Sequence, residues 1–279
     1  VSGDRKNYEI LTGKTMGMKS NNQHILRIAF LHLAPIPGDV AGNRNLVIRG
    51  IETAASLGAQ WIITPELCVC GYTFADRIGT DWIEPQPDPW MKELCRLTVR
   101  LGIAVFLGHP ERDLRTGKLF NSVFVISKGQ IVGRHRKINA LRKGSEAWSH
   151  PADTALPVTV PPVGKVGIMI CGDAFSPGIA NHLKMQGAEM LISSAAWAPG
   201  FHGPDGEWER CTLDTGLPLM VCNRSGVERT LDFTAAESVV VKEGQRLLSF
   251  SAPASAVIVI DWDMTSANLA TTAYRKIAL

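Results

Sequence analysis

Residues 165–177, KVGIMICGDAFSP, read as a buried strand that stops abruptly. Val166, Ile168, Met169 and Ile170 are apolar strand formers, and Gly172, Asp173 and Pro177 then break the run. Cys171 is left at the strand's carboxyl end, where ligands of α/β folds gather. A lone thiol is a small packing hydrophobe, so the reading depends on its company. Glu66 ends WIITPELCVCGY (61–72), and Lys137 ends FNSVFVISKGQIVGRHRK (120–137). A thiol, a carboxylate and an ammonium, each at the mouth of its own strand, are the parts of a nucleophilic catalyst.

Working outward, strands and helices alternate from Ile25. ILRIAFLHLA reads as a strand and NRNLVIRGIETAASLGA as an amphipathic helix. Leu46, Ile48, Ile51, Ala54, Ala55 and Leu57 fall on one side of that helix, and Gly58 ends it. WIITPEL is a strand. DPWMKELCRLTVRLG is a helix with Asp88 as cap and Pro89 in its first turn, and IAVFLGHPERD is a strand. Two hairpins follow, around KGQ and PPVG. Then come a helix from SPGIANHLKMQGA with Ser176 as N-cap, the strand AEMLISSAAW, the helix GEWERCTLDTGL and the strand PLMVCNRSG. ESVVVKEGQRLLSF and AVIVIDWDM are further strands. Such an order predicts an α/β fold with mixed sheets and helices packed on them. Residues 1–24 form a polar tail and 25–279 a single domain, with no linker or repeat inside it. The long irregular stretches 71–87, 138–155 and 198–206 follow Glu66, Lys137 and Trp197, and long loops in a compact domain are commonly functional.

Composition narrows the function classes. With 279 residues, 45% hydrophobic and 20% charged, the chain can bury a core without staples. The net charge of +3 is spread along the chain, which argues against nucleic acid and anionic membrane as partners. No segment has the apolar length of a membrane span, and the first two dozen residues lack the apolar core of a signal peptide. Met16 and Met18 are candidate initiators. The six cysteines, 68, 70, 95, 171, 211 and 222, lie mostly in apolar patterns. They read as free thiols in a reducing, cytoplasmic setting. Cys68 and Cys70 are one residue apart, too close for a C-x-x-C site, and read as packing thiols. The seven histidines show no i,i+4 pair, so no catalytic metal is expected.

TPELCVCGY around Glu66, GRHRKINAL around Lys137 and VGIMICGDAFSP around Cys171 together resemble the nitrilase (carbon–nitrogen hydrolase) superfamily, in the same chain order. The run LISSAAW to NRSG, then AESVVVKEGQRLLSF and VIVID, resembles that family's later half, so the resemblance covers about residues 25–263. It implies a four-layered α-β-β-α sandwich that pairs two-fold with a second copy into an α-β-β-α-α-β-β-α homodimer, or a higher homo-oligomer. It also implies a thioester intermediate and neither metal nor organic cofactor.

The resemblance assigns catalytic roles to Glu66, Lys137 and Cys171, and the physical chemistry of those groups fits. Glu66 can take the thiol proton and later activate water. Lys137 can hold a thiolate or a tetrahedral oxyanion, with the backbone N–H of Gly172 as second donor. Glu146, nine residues after Lys137, matches a second glutamate that many relatives carry near the lysine to orient substrate or the first glutamate. Tyr72 and Trp197 are expected to line the pocket, with Phe175 beside them. Asp173 is expected to be a structural ion-pair or hydrogen-bond partner, and His135 and Arg136 are taken as structural. Typical nitrilases show Cys-Trp-Glu and aliphatic amidases Cys-Arg-Asp, where this chain has Cys171-Gly172-Asp173. The expectation is an amidase acting on a small-molecule amide. An N-carbamoyl amide hydrolase or a nitrilase is the alternative within the class. Outside it stand an acyltransferase and an idle binding module on the same fold.

Overall fold

The computed structural model describes residues 24–200 and 203–279. The polar tail expected over residues 1–24, with Met16 and Met18, lies outside the described residues apart from His24. So do Phe201 and His202 within the 198–206 loop.

The first half of the chain comprises β1 (Ile25–His32), α1 (Val40–Ser56), β2 (Trp61–Ile63), the single turn α2 (Ala75–Ile78), α3 (Pro89–Leu101), β3 (Ala104–Arg112), β4 (Leu119–Ser127) and β5 (Gln130–Arg136). The second half begins with β6 (Val158–Val160), β7 (Gly164–Ile170), α4 (Pro177–Met185), β8 (Met190–Ser194), α5 (Glu207–Thr215) and β9 (Leu219–Cys222). A small ribbon of β10 (Val227–Glu228) and β11 (Leu231–Asp232) comes next. It is followed by β12 (Ser238–Lys242), β13 (Gln245–Phe250), β14 (Ala256–Asp263), β15 (Asn268–Leu269) and β16 (Arg275–Ala278).

Two mixed sheets result. One runs β15-β14-β1-β2-β3-β4-β5, with β16 on β14. The other runs β13-β12-β9-β8-β7-β6. Each has a parallel centre, β1-β2-β3 in one and β7-β8-β9 in the other, with antiparallel strands on both flanks. Both centres are β-α-β-α-β units, the arrangement that alternating strand and helix patterns impose.

Period-2 alternation decides which residues face which layer. In β1, Ile28 and Phe30 join a core that also takes up the apolar residues of β7, β8, β9, α4 and α5. Ala29 and Leu31 point the other way, into a core shared with Val47, Ile51 and Ala54 of α1 and Met91 and Leu94 of α3. The layers are therefore helix, sheet, sheet, helix, as the resemblance implies.

Local chemistry accounts for the boundaries. The β4–β5 hairpin turns on Lys128 and Gly129, both at positive φ, the pair of conformations that a two-residue turn needs. Helix α1 starts earlier than its apolar periodicity suggests, because Asp39 caps it, accepting from the Gly42 N–H at 2.9 Å. Its buried stripe is Asn43, Val47, Gly50, Ile51 and Ala54, while Leu46, Ile48, Ala55 and Leu57 flank the stripe half-buried. WIITPEL is a strand only over Trp61–Ile63, because Pro65 and then Leu67 at φ 51° turn the chain out of the sheet. Ser176 stands at the N-cap of α4, but its hydroxyl accepts from Asn139 Nδ2 at 2.8 Å and makes no capping bond.

Asp88 does cap α3, accepting from the Met91 N–H at 2.8 Å while pairing with Arg44. Asp88→Ala should cost about 1–2 kcal/mol and lower the melting temperature by a few degrees. Asp88→Asn should recover most of the loss. A thermal melt of Asp88→Ala that matches the parent would show that the cap carries no stability.

Candidate active site

Four buried side chains from four separate segments meet around one ammonium. Lys137 directly follows β5, Glu66 lies three residues past β2, Asn121 is on β4, and Glu146 ends a short turn in the 138–155 loop. Lys137 Nζ donates to Glu66 Oε1 and to Glu146 Oε1, each at 2.8 Å. Asn121 Nδ2 donates to the same two oxygens, at 2.7 and 2.8 Å. Both carboxylates are fully buried. Burial drives the pKa of Glu66 up, Lys137 opposes the rise, and the charge of Glu146 adds to it. The result lies above the usual carboxylate range. For Lys137, burial disfavours the charge, but the two carboxylates outweigh it and hold the ammonium well above its ordinary pKa. Glu146 is thus no surface carboxylate; its second oxygen accepts from the Leu141 N–H at 3.3 Å.

Cys171 follows β7 at φ 44°, a left-handed conformation that a β-carbon makes costly and that recurs at functional turns. Burial raises its thiol pKa well above 9, and the charge of Glu66 adds to the rise while Lys137 works against it. At neutral pH the group is a thiol, which becomes a nucleophile only when a base removes its proton. Gly172 is next in line. A methyl placed on it would lie 3.6 Å from Phe175 Cδ2 and 3.9 Å from Lys137 Cε.

Asp173 ties this turn to the Lys137 turn. One of its oxygens accepts from the N–H groups of Ile138 and Asn139 at 3.0 and 2.9 Å. The other accepts from the Ile170 N–H at 2.9 Å and lies 2.8 Å from His135 Nε2. Burial works against the charge on Asp173, but the bonds from His135 and the backbone prevail and keep its pKa below the ordinary value.

Similar ties join other strand ends across the sheets. Ser194 Oγ donates to Thr64 O at 2.8 Å, and the Ala196 N–H donates to Glu66 Oε2 at 2.9 Å, linking the ends of β8 and β2. The Ser225 N–H donates to Leu33 O at 2.7 Å, linking the ends of β9 and β1. The Glu66 turn also crosses β3 at very close range: a Cβ on Gly108 would sit 2.2 Å from Pro65 O and 3.0 Å from Glu66 Cα. Only glycine fits there.

A cavity of about 1010 Å³ opens at these strand ends. Cys171, Lys137, Glu146, Gly172, Tyr72, Trp197 and Phe175 all line it, whereas Glu66 is enclosed behind them. Burial, then the nearby charge of Glu146, raises the Tyr72 phenol pKa. Asn121, Arg224 and Glu228 escape a reading of the sequence. Arg224 and Glu228 form a fully buried ion pair. Glu228 also accepts from the N–H groups of Tyr72 and Thr73, at 3.1 and 2.7 Å. The Arg224 guanidinium lies 4.5 Å from the ring centroid of Phe233 on the cavity wall. The only hint for Asn121 is a polar residue inside an apolar strand. Among the described residues no group of three or more His, Cys, Asp or Glu could hold a metal ion, and no helix is long and apolar enough to cross a membrane.

The geometry invites comparison with known proteins. Residues 27–269 match the family model described as "Carbon-nitrogen hydrolase". A nitrilase of Pyrococcus abyssi is 26% identical over 81% of this chain and 85% of its own length. A glutamine-dependent NAD(+) synthetase of Thermotoga maritima is 24% identical over 86% of this chain, which spans 42% of that protein. Among solved structures, Nit3 of Saccharomyces cerevisiae, described as a member of the nitrilase superfamily, has a TM-score of 0.75 at 21% identity, covering 86% of this chain and 90% of that one. An amidase from Nesterenkonia sp. AN1, with an acetamide moiety added to its active-site cysteine, has a TM-score of 0.73 at 21% identity, covering 89% of this chain and 94% of that one. The structural likenesses establish the fold.

Removing the shared ammonium should be felt in stability first. Lys137→Met strands two buried carboxylates, and breaking a buried pair this way costs about 3–5 kcal/mol. Glu66, already raised by burial, then loses its main opposing charge and rises further. A carboxyl whose folded pKa exceeds its unfolded one favours the folded state at low pH, and that contribution is lost as pH rises through the folded pKa. The melting deficit of Lys137→Met should therefore be smaller at pH 5 than at pH 8. A deficit that grows toward pH 5 would contradict this account of the cluster.

Proposed function

Because the chain belongs to the carbon–nitrogen hydrolase family, we propose that it is a cysteine-dependent amidase converting a small carboxamide to a carboxylic acid and ammonia. The observation that carries this reading is the Lys137 ammonium, held at 2.8 Å by both Glu66 and Glu146 on the cavity that Cys171 also lines.

In the proposed first half-reaction, Glu66 takes the Cys171 proton as sulfur attacks the amide carbon. A raised pKa suits Glu66 to this task, since a base must approach the basicity of the thiolate it creates. The carbonyl oxygen becomes an oxyanion, which the Lys137 ammonium and the Gly172 N–H stabilise. Glu66 then passes its proton to the leaving nitrogen. The C–N bond breaks, ammonia departs, and the acyl group remains on sulfur as a thioester. In the second half, Glu66 removes a proton from water as its oxygen attacks the thioester, and the thiol reforms as the acid leaves. Glu146 never exchanges a proton in this scheme. It fixes the ammonium, and its place on the cavity also suits it to accept from the amide N–H₂. The amide reading is preferred to the nitrile one because Cys171 is followed by Gly-Asp, not by the Trp-Glu typical of nitrilases.

Incubation with a slowly turned-over amide should leave an acyl group on the peptide that contains Cys171, and Cys171→Ala should release no ammonia. An adduct mapped to Cys68 or Cys95 would sink the assignment, and acid formed from a nitrile but never from its amide would move the substrate class.

Glu146→Gln keeps shape and removes one of the two charges on Lys137. We expect kcat to fall about 100-fold through loss of positioning, with iodoacetamide still alkylating Cys171 at close to the parental rate. Parental turnover in Glu146→Gln would reduce the residue to a buried structural group.

A further inference from the structure

The cavity is far larger than a two-carbon amide requires, and its walls are specific in kind. We propose that this chain selects amides whose acyl group is neutral and of aryl size, seated against the cavity wall to which Phe175, Trp197 and Phe233 contribute. The proposal rests on the amidase reading of Cys171 and adds the substrate class.

Three observations support it. The first is volume. About 1010 Å³ is the upper range of pockets that enclose a drug-sized ligand, so an acetamide-sized molecule would leave most of the walls uncovered.

The second is what the walls are made of. Phe175 lines the cavity four residues from the nucleophile, and 58% of its surface remains uncovered. Its ring lies 4.8 Å from that of Trp197, and Trp197 in turn packs edge-on against the buried Trp208 at 5.5 Å. A methyl on Gly172 would touch Phe175 at 3.6 Å, so this aromatic wall begins beside the reacting carbon's place. Phe233 belongs to a different loop, and it is fully buried against the Arg224 guanidinium. Leu141 and Leu231 extend the apolar lining. Ring edges and faces presented from rigid supports are what an aryl group packs against.

The third is charge. The buried charges on the lining, Lys137 and Glu146, are engaged with each other. The other charged lining residues among those described, Lys143 and Asp232, are solvent-exposed, and Asp232 accepts from the Thr234 N–H and hydroxyl at 2.8 and 2.6 Å. Among the described residues no buried lining charge is left over for an α-carboxylate or an α-ammonium, so a zwitterionic amide such as glutamine gains little from these walls and pays for its desolvation.

The test separates binding from chemistry. In Cys171→Ala, titration calorimetry should give a Kd for phenylacetamide at least about tenfold below that for acetamide, since burying one phenyl group corresponds to roughly ten- to a hundredfold in affinity. Phe175→Ala in the same background, a change at an exposed position, should cut that ratio to about threefold or less. Equal affinities, or tighter binding of glutamine than of phenylacetamide, would overturn the proposal. Turnover by the unaltered protein reports on the underlying reading. Phenylacetamide bound tightly but yielding no ammonia would remove the amidase assignment and leave the aryl site standing. Acetamide and phenylacetamide hydrolysed with equal kcat/KM would keep the amidase and remove the aryl site.

Discussion

Two ionised carboxylates buried side by side need a cation buried with them. Ionised carboxylates in an apolar interior carry a penalty of several kcal/mol each, and a single well-placed ammonium with good hydrogen bonds offsets most of it. Glu66, Glu146, Lys137 and Asn121 are an arrangement of that kind. Its geometric demand reaches far into the fold. The ammonium can meet both acids only if the end of β5, the turn after β2 and the 138–155 loop converge on one point.

The convergence is enforced by bonds between strand ends of the two sheets. Thr64 with Ser194, Leu33 with Ser225, and Asp173 with the backbone after Lys137 join them in pairs. The two bonds between neutral groups contribute about 1 kcal/mol each, and those to the Asp173 carboxylate, being charge-assisted, about 1.5–3 kcal/mol. Their significance lies in direction: they set the sheets' carboxyl ends against one another, so that residues of the first sheet face Cys171 from the second. Asp173 contributes most to this alignment, since one side chain holds both the Cys171 turn and the Lys137 turn.

The architecture and three positions of the candidate site were legible in the sequence because they share a simple signal, a strand pattern followed by a break. Val166–Ile170 before Cys171, and Val132 with the alternation before Lys137, are of this type. The turn around Glu66 was legible as a strand end but not as a detour, since the pattern WII-T-P-E-L does not reveal that the chain leaves the sheet after Ile63. Glu146 stands in RKGSEAW, a composition that reads as solvated, and only the three-dimensional position of Lys137 makes it buried. Asn121 is masked by its apolar neighbours in β4. Arg224 and Glu228 are four apart, as in a helical pair, yet they lie outside any helix. Charges buried by loops leave no periodic trace.

Gly108 carries a consequence of another sort. It is not among the residues lining the 1010 Å³ cavity and offers no functional group, yet the backbone of Pro65 and Glu66 passes over it at a distance that leaves room for a hydrogen atom alone. Any side chain at this position would displace the turn that holds Glu66 while β3 remained paired with β4. A position with no chemistry of its own thus fixes a side chain elsewhere, because the location of Glu66 is specified by an empty volume as much as by its bonds.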